Sequence, residues 1–234
     1  METIEKILER IKVQDAFPTI RRGRMDGFDM DEVFNIFVAI GKTRTPAFSV
    51  DEYNRFAYRQ MVNWLYNQDF FCIDPDSGRT IAGDPTKGLY IAGGTGSGKS
   101  WSVEILSLLA KVDRPRFMGS GGVEEITFDA IRADELTTVF SNTGTVEAYA
   151  KKSILCIQDL GSEPRETLYM GNRQNVLKQL LEYRGDRQDL ITIITSNNAI
   201  NDSDTKELYG ERVVSRLCGM CNYLILNGPD RRIK

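Results

Sequence analysis

Two hydrophobic periodicities divide the chain. Up to about residue 80, apolar positions recur at helical spacing. Ile4, Ile7, Leu8 and Ile11 share one face of a short predicted helix, and a second runs from about Asp31 to Ile40. A third is opened by Ser49-Val50-Asp51-Glu52, a capping-box pattern, and is expected to bury Tyr53, Phe56, Ala57, Trp64 and Leu65. Pro18, Gly23 and Gly27 interrupt the pattern and leave a loop carrying Arg21, Arg22 and Arg24. Turn-forming clusters at Asp74–Gly78 and Gly83–Pro85 end the region.

From about residue 86, short apolar runs alternate with helical patterns, the rhythm of a parallel α/β sheet. Strands are predicted at Leu89–Ala92, Ile126–Phe128, Ile154–Ile157, Ile191–Thr195 and Tyr223–Leu226, with helices starting near Ser100, Arg132, Asn172 and Glu207. The pattern thus predicts a small α-helical N-terminal region, 1–80, and an α/β domain, 81–234, built on a five-stranded, doubly wound parallel sheet.

The first of those strands runs into Gly93-Gly94-Thr95-Gly96-Ser97-Gly98-Lys99-Ser100, a Gly-x-x-x-x-Gly-Lys-Ser phosphate loop followed by a helical pattern from Trp101. Glycines let the backbone turn its N–H groups toward a polyphosphate, and the following helix N-terminus adds a favourable dipole. Residues Gly93 through Trp101 are the expected nucleotide contacts, with Lys99 on the β- and γ-phosphates and the Ser100 hydroxyl on Mg²⁺. The chain is expected to bind ATP and Mg²⁺.

Composition narrows the chemistry. The chain has 234 residues, 41% hydrophobic and 27% charged, ordinary for a folded domain. It shows no apolar run of the roughly 20 residues that span a bilayer and no apolar signal core at Met1–Lys6, so a cytoplasmic location and no membrane partner are expected. With a net charge of −3, nucleic-acid contact would depend on local clusters: Arg21-Arg22-Gly23-Arg24, Lys151-Lys152, Arg184 with Arg187, and Arg231-Arg232-Ile233-Lys234. Each is short enough to be simply a solvated surface. There is no histidine, which removes the commonest general base. Cys218-Gly219-Met220-Cys221 lacks the two further ligands that zinc needs nearby.

A P-loop enzyme also requires an acid at the end of a neighbouring strand. The run Ile154-Leu155-Cys156-Ile157 ends in Gln158-Asp159-Leu160-Gly161, the next strand ends in Thr195-Ser196-Asn197, and a Gly210-Glu211-Arg212-Val213-Val214-Ser215-Arg216-Leu217 box follows. In this order and at these separations the chain resembles the DnaC/IstB group of AAA+ ATPases, bacterial helicase loaders and transposition helpers, from about Gly88 to Arg232. The resemblance implies a P-loop NTPase (AAA+) core without a C-terminal lid. It implies Asp159 as the acid that polarises water, Asn197 as the sensor-1 residue, and Arg216 as an arginine finger acting on a neighbouring subunit, with Arg212 as a second candidate. Arg231 or Arg232 matches the arginine near the C-terminus of such proteins. It also implies a homo-oligomer when ATP is bound, a replicative helicase or a transposase as partner, and single-stranded DNA as a ligand, with residues 1–80 placed to hold the helicase.

One position departs from the pattern. The family's first Walker B acid falls on Gln158, whose amide can hold a metal-bound water but carries no charge. Gln158, Asp159 and Ser100 are therefore the expected metal-site residues, with turnover weakened; alternatively Asp159 serves the metal and leaves no hydrolytic acid. An ATP-gated adaptor with little turnover stands beside the loader reading. A small-molecule kinase is disfavoured, since no arginine-rich lid follows the core.

Overall fold

In a computed structural model that describes residues 18–119 and 121–231, the chain forms three layers around one parallel sheet. The predicted face of Ile4–Ile11 and the basic residues Arg232 and Lys234 lie outside the described residues.

The sheet is built from β3 (Gly88–Ala92), β6 (Ala130–Arg132), β7 (Ile154–Leu160), β10 (Ile191–Ser196) and β11 (Cys221–Ile225), in the spatial order β11-β3-β10-β7-β6. Every pairing is parallel. Side chains alternate between the faces with period two. Leu89, Ile91, Cys156, Ile191, Ile193 and Leu224 join one hydrophobic cluster, and Tyr90, Ala92, Leu155, Ile157, Ile194 and Tyr223 join the other. With helices covering both faces the central strands read as continuous apolar runs, which is why they were visible in sequence. The edge strand differs: it is Ala130–Arg132, not Ile126–Phe128, and its residues are exposed or half-buried. Ile126 and Phe128 are buried in the first cluster without entering the sheet.

Helices α1 (Met30–Arg44), α2 (Arg55–Leu65) and α3 (Lys99–Asp113) pack on the first face, and their buried residues share its cluster. Asp29 caps α1 by accepting from the Asp31 amide. The helix continues past Ile40 to Arg44, and the ring of Phe48 lies on Gly41, where a Cβ would come within 2.4 Å of it. The turn before α2 is closed by Asp51, which accepts from the Tyr53 and Asn54 amides, so the helix begins at Arg55. That phase buries Ala57, Tyr58, Met61, Trp64 and Leu65 and leaves Tyr53 and Phe56 exposed, contrary to the sequence expectation.

Helices α4 (Ala133–Thr143), α5 (Glu147–Ala150), α6 (Val176–Gly185), α7 (Ser203–Tyr209) and α8 (Glu211–Met220) follow, and each contributes buried residues to the second cluster, α5 through Ala150. The helix expected near Asn172 starts at Val176, because Met170 and Gly171 both take positive φ and turn a hairpin of β8 (Thr167–Tyr169) and β9 (Asn172–Gln174). The helix expected near Glu207 is two helices, divided at Gly210 with φ +85°. Two further hairpins, β1 (Phe71–Ile73) with β2 (Thr80–Ala82) and β4 (Arg116–Gly119) with β5 (Gly122–Glu125), complete the described elements. Among the described residues no helix is long and apolar enough to cross a membrane.

Candidate functional site

β3 delivers the phosphate loop to the C-terminal edge of the sheet, and β10 lies between β3 and β7. Strand order reverses here, since the chain leaves β3 for the far edge and returns through β7 and β10. Such a crevice at the C-terminal strand ends is where α/β sheets take ligands. A cavity of about 300 Å³ occupies it, lined by Thr95, Gly96, Gly98, Lys99, Ser100 and Trp101 from the loop and α3. Asp159, Ser162 and Asn197 line it from the neighbouring strand ends, Arg132 from the edge strand, and Arg231 from the C-terminal segment.

Gly98 takes φ +101° at the start of α3, a conformation that a Cβ would strain. This brings Lys99 back into the loop. The buried ammonium donates to the carbonyls of Gly93 (2.7 Å) and Gly94 (2.8 Å) and to Asn197 Oδ1 (2.9 Å). Lys99 and Asn197, 98 positions apart, are therefore in direct contact. Ser97 Oγ is fully buried with no hydrogen-bond partner, an orphaned polar atom inside the loop.

Asp159 owes its position to an irregularity in β7. The register with β10 slips between Ile194 and Ser196, so β7 carries one extra residue there. Asp159 sits in that bulge at φ +56°, a conformation that costs a non-glycine residue roughly 1–2 kcal/mol and that aspartate tolerates better than most. Thr195 Oγ1 accepts from its amide at 3.0 Å. The following loop is pinned by buried Glu163, which accepts from the Gly161 amide (2.8 Å) and from the Tyr209 hydroxyl. Burial first, and the Glu163 carboxylate second, push the Tyr209 phenol far above its ordinary pKa, so it remains a donor.

Two residues of the site had not been singled out in the sequence. Arg132, paired across to Gln158 in the β6–β7 register, donates to Asp159 Oδ2 at 3.1 Å and to Asp134 Oδ1 at 2.9 Å. The ion pair orients the Asp159 carboxylate at the cavity wall. Ser162 was also unmarked. Gln158 is buried beside the loop rather than on the cavity surface, and its Nε2 donates to Ser100 O at 3.4 Å.

The finger candidates lie outside the cavity. Arg216 is drawn to Asp186, with Nε 3.0 Å from Oδ1 and Nη2 closer still, and its aliphatic stem lies on Gly185. Arg212, one turn earlier on the same helix, is exposed and forms no ion pair with a described residue.

In two of the basic clusters one arginine is turned inward. Arg22 is half-buried, stacks 4.8 Å from the Trp64 ring centroid and donates to the carbonyls of Trp64 (2.6 Å) and Leu65 (2.7 Å). Arg184 is fully buried and donates to three main-chain carbonyls and to Thr192 Oγ1. Burial lowers their pKa values to about 9 and about 10, so both stay charged at neutral pH, and the donors that find partners bond within the protein. They are removed from the candidate nucleic-acid contacts, and Arg187, held by Asp189 at 2.6 Å, is partly committed as well.

The donor set fits a magnesium–nucleoside triphosphate: a positive-φ glycine at a helix start, a buried lysine, a buried hydroxyl lacking a partner, Ser100 on the wall, and one carboxylate opposite. No protein-family model matches the sequence, and a comparison with curated proteins finds no match. Solved structures do match. A candidate primosome component from Streptococcus pyogenes serotype M3 is similar with a TM-score of 0.52 and 19% identity, over 79% of this chain and 85% of that one. The DnaC helicase loader is similar with a TM-score of 0.50 and 16% identity, over 83% of this chain and 98% of that one. At these identities the likeness shows the fold: this chain has the α/β P-loop NTPase fold seen in the DnaC helicase loader.

Proposed function

We propose that the chain is an ATP-binding AAA+ protein of DNA replication, of the helicase-loader type. One observation carries the reading: Lys99, Asp159 and Asn197, far apart in sequence, line a single cavity at the C-terminal edge of the sheet, with Lys99 bonded to Asn197. The named function of the DnaC neighbour supports the same reading. Lys99 and the loop amides bind the phosphates; Ser100, with Gln158 behind it, holds the metal side. Mg²⁺, when bound, offsets charge developing on the phosphates. Asp159 orients and deprotonates the attacking water, and Asn197 fixes Lys99. The single carboxylate leaves the metal side one charge short, so turnover is slow. Asp159→Asn would test the acid, but Gln158→Asp tests the departure itself. We expect Gln158→Asp to raise Mg²⁺-dependent turnover by about tenfold, corresponding to ~1.4 kcal/mol of barrier. An unchanged rate would mean that the missing charge does not limit turnover.

An adaptor that binds ATP and scarcely hydrolyses it is favoured by one specific observation, the Arg132 guanidinium on the Asp159 carboxylate. Assembly separates the two readings. Exposed Arg212 is free to enter a neighbouring subunit, whereas Arg216 must first leave Asp186. For the loader reading, ATP turnover per protomer rises with protein concentration and with single-stranded DNA. Arg212→Ala lowers the concentration-dependent part about 100-fold while ATP affinity stays within about two-fold. Turnover independent of concentration would sink the trans-acting finger and leave the adaptor.

A further inference from the structure

The phosphate loop is gripped from two sides by segments that its chemistry does not require. On one side the chain after β11 folds back across it. Leu226 N donates to Ala92 O at 2.7 Å, Arg231 N donates to Gly96 O at 3.0 Å, and the Asp230 carboxylate lies on Gly96, where a Cβ would come 1.8 Å from Oδ1. On the other side is the start of α2, with the Tyr58 hydroxyl 2.9 Å from where a Cβ on Gly98 would stand. The Arg231 side chain joins the two. It lines the cavity, yet its Nη2 donates to Asp51 Oδ2 at 2.7 Å and its Nη1 to Ser49 Oγ at 3.4 Å.

Asp51 therefore has two tasks. One oxygen closes the turn that starts α2, through the Tyr53 and Asn54 amides, and the other holds Arg231. The Arg231 side chain is 13% exposed and that of Asp51 35%, so the pair is partly shielded from water. Arg231 Nε is buried with no hydrogen-bond partner, so the guanidinium has donor capacity that the Asp51 pairing leaves unused.

We propose that Arg231 and Asp51 form a nucleotide-sensitive clasp. The inference rests on the reading of the cavity as a triphosphate site. A polyphosphate in the cavity brings several negative charges to the arginine, whose planar fork pairs with phosphate oxygens as readily as with a carboxylate. It thereby competes with Asp51 for the same guanidinium. Capture of Arg231 removes the partner of Asp51 and loosens the turn 49–54, so that occupancy of the loop is passed to the helical region formed by α1 and α2. Only a ligand that interacts differently with the clasped and open arrangements can shift them, and a triphosphate meets that requirement through its charge. The clasp also lowers apparent affinity, because the binding-competent arrangement must first be reached.

Hydrogen exchange on the full chain, with and without saturating ATP and Mg²⁺, tests this in the unmodified protein. ATP is expected to slow exchange in the phosphate loop, 93–101, and to speed exchange in 49–58 by at least several-fold. Asp51→Asn, which keeps the shape of the turn, is expected to show the faster exchange without ATP and to bind a fluorescent ATP analogue about three-fold tighter. If ATP protects 93–101 but leaves 49–58 unchanged, the clasp is overturned and the nucleotide site stands. If ATP protects neither segment, the nucleotide reading falls and the clasp with it.

Discussion

Lys99→Ala is expected to weaken ATP binding by at least about 100-fold while leaving the fold intact. The ammonium is the charge most deeply set in the loop, held by the carbonyls of Gly93 and Gly94 and by Asn197. A hydrogen bond to a charged group contributes ~1.5–3 kcal/mol, and every 1.4 kcal/mol is tenfold in affinity. Losing one such bond to each of two phosphates reaches 100-fold. The two carbonyls released by the substitution belong to half-buried Gly93 and exposed Gly94 and can turn to water, so the melting temperature should hardly move. Lys99→Arg sharpens the test. It keeps the charge, but a planar guanidinium cannot occupy a seat shaped by three acceptors around one nitrogen, so it too should bind poorly. Titration with a fluorescent ATP analogue, alongside thermal melting, reads both quantities. Unaltered affinity in Lys99→Ala would mean that the nucleotide does not use this loop.

Arg184→Leu is expected to destabilise the protein by about 3–5 kcal/mol, the range for breaking a buried charged network. The guanidinium reaches Ala150 O (2.9 Å), Lys152 O (2.7 Å), Ile191 O (2.6 Å) and Thr192 Oγ1 (2.9 Å), and so ties the entry to β7 to the start of β10. Leucine fills part of the volume but leaves these acceptors buried without donors, and each orphan costs ~1–3 kcal/mol. For a chain of this length the melting temperature should fall by roughly 10 °C. Arg184→Lys, which offers one nitrogen in place of a fork, should recover only part of the loss. The effect belongs to stability, so at temperatures where the variant is folded its ATP affinity should match that of the unaltered chain. A Leu variant that melts normally would show that Arg184 is not the internal tie described, and would return it to the candidate DNA contacts.

These two arginine and lysine sites illustrate what was legible beforehand. Lys99 belongs to a contiguous motif whose local backbone is the candidate site, so eight consecutive residues point to it. Asp159 and Asn197 became legible by following strand ends, because β7 and β10 are buried on both faces and read as unbroken apolar runs. Arg184 carried no such signal. Its partners are main-chain carbonyls, which any sequence supplies, and an arginine next to Gly185 and Asp186 reads as surface. Arg132 was lost for a related reason: β6 is a three-residue edge strand with little to bury, and the more apolar Ile126–Phe128 took its place in the reading. With the strand misplaced by four residues, nothing brought Arg132 to the level of Asp159. The role of Arg231 depends on the chain doubling back after β11, which local sequence does not encode. The bulge that aims Asp159 was equally hidden, since a single inserted residue in an apolar strand leaves its hydrophobic pattern intact.

The organisation of the helical part was read in outline but phased incorrectly. Placing the start of α2 at the capping-box pattern put Tyr53 and Phe56 on the buried face; the Asp51 turn delays the helix to Arg55 and turns Tyr58 and Met61 inward instead. Tyr58 then reaches the phosphate loop, which brings the helical part up against the candidate site.

Occupancy of the loop by a nucleoside triphosphate decides the proposed function. Calorimetric titration of the full chain with ATP in excess Mg²⁺ is the direct measurement. Saturable binding of one ATP per chain is expected, with a dissociation constant in the micromolar range, competed by ADP and lost in Lys99→Ala. No heat of binding up to millimolar ATP, in a sample that melts cooperatively, would contradict it.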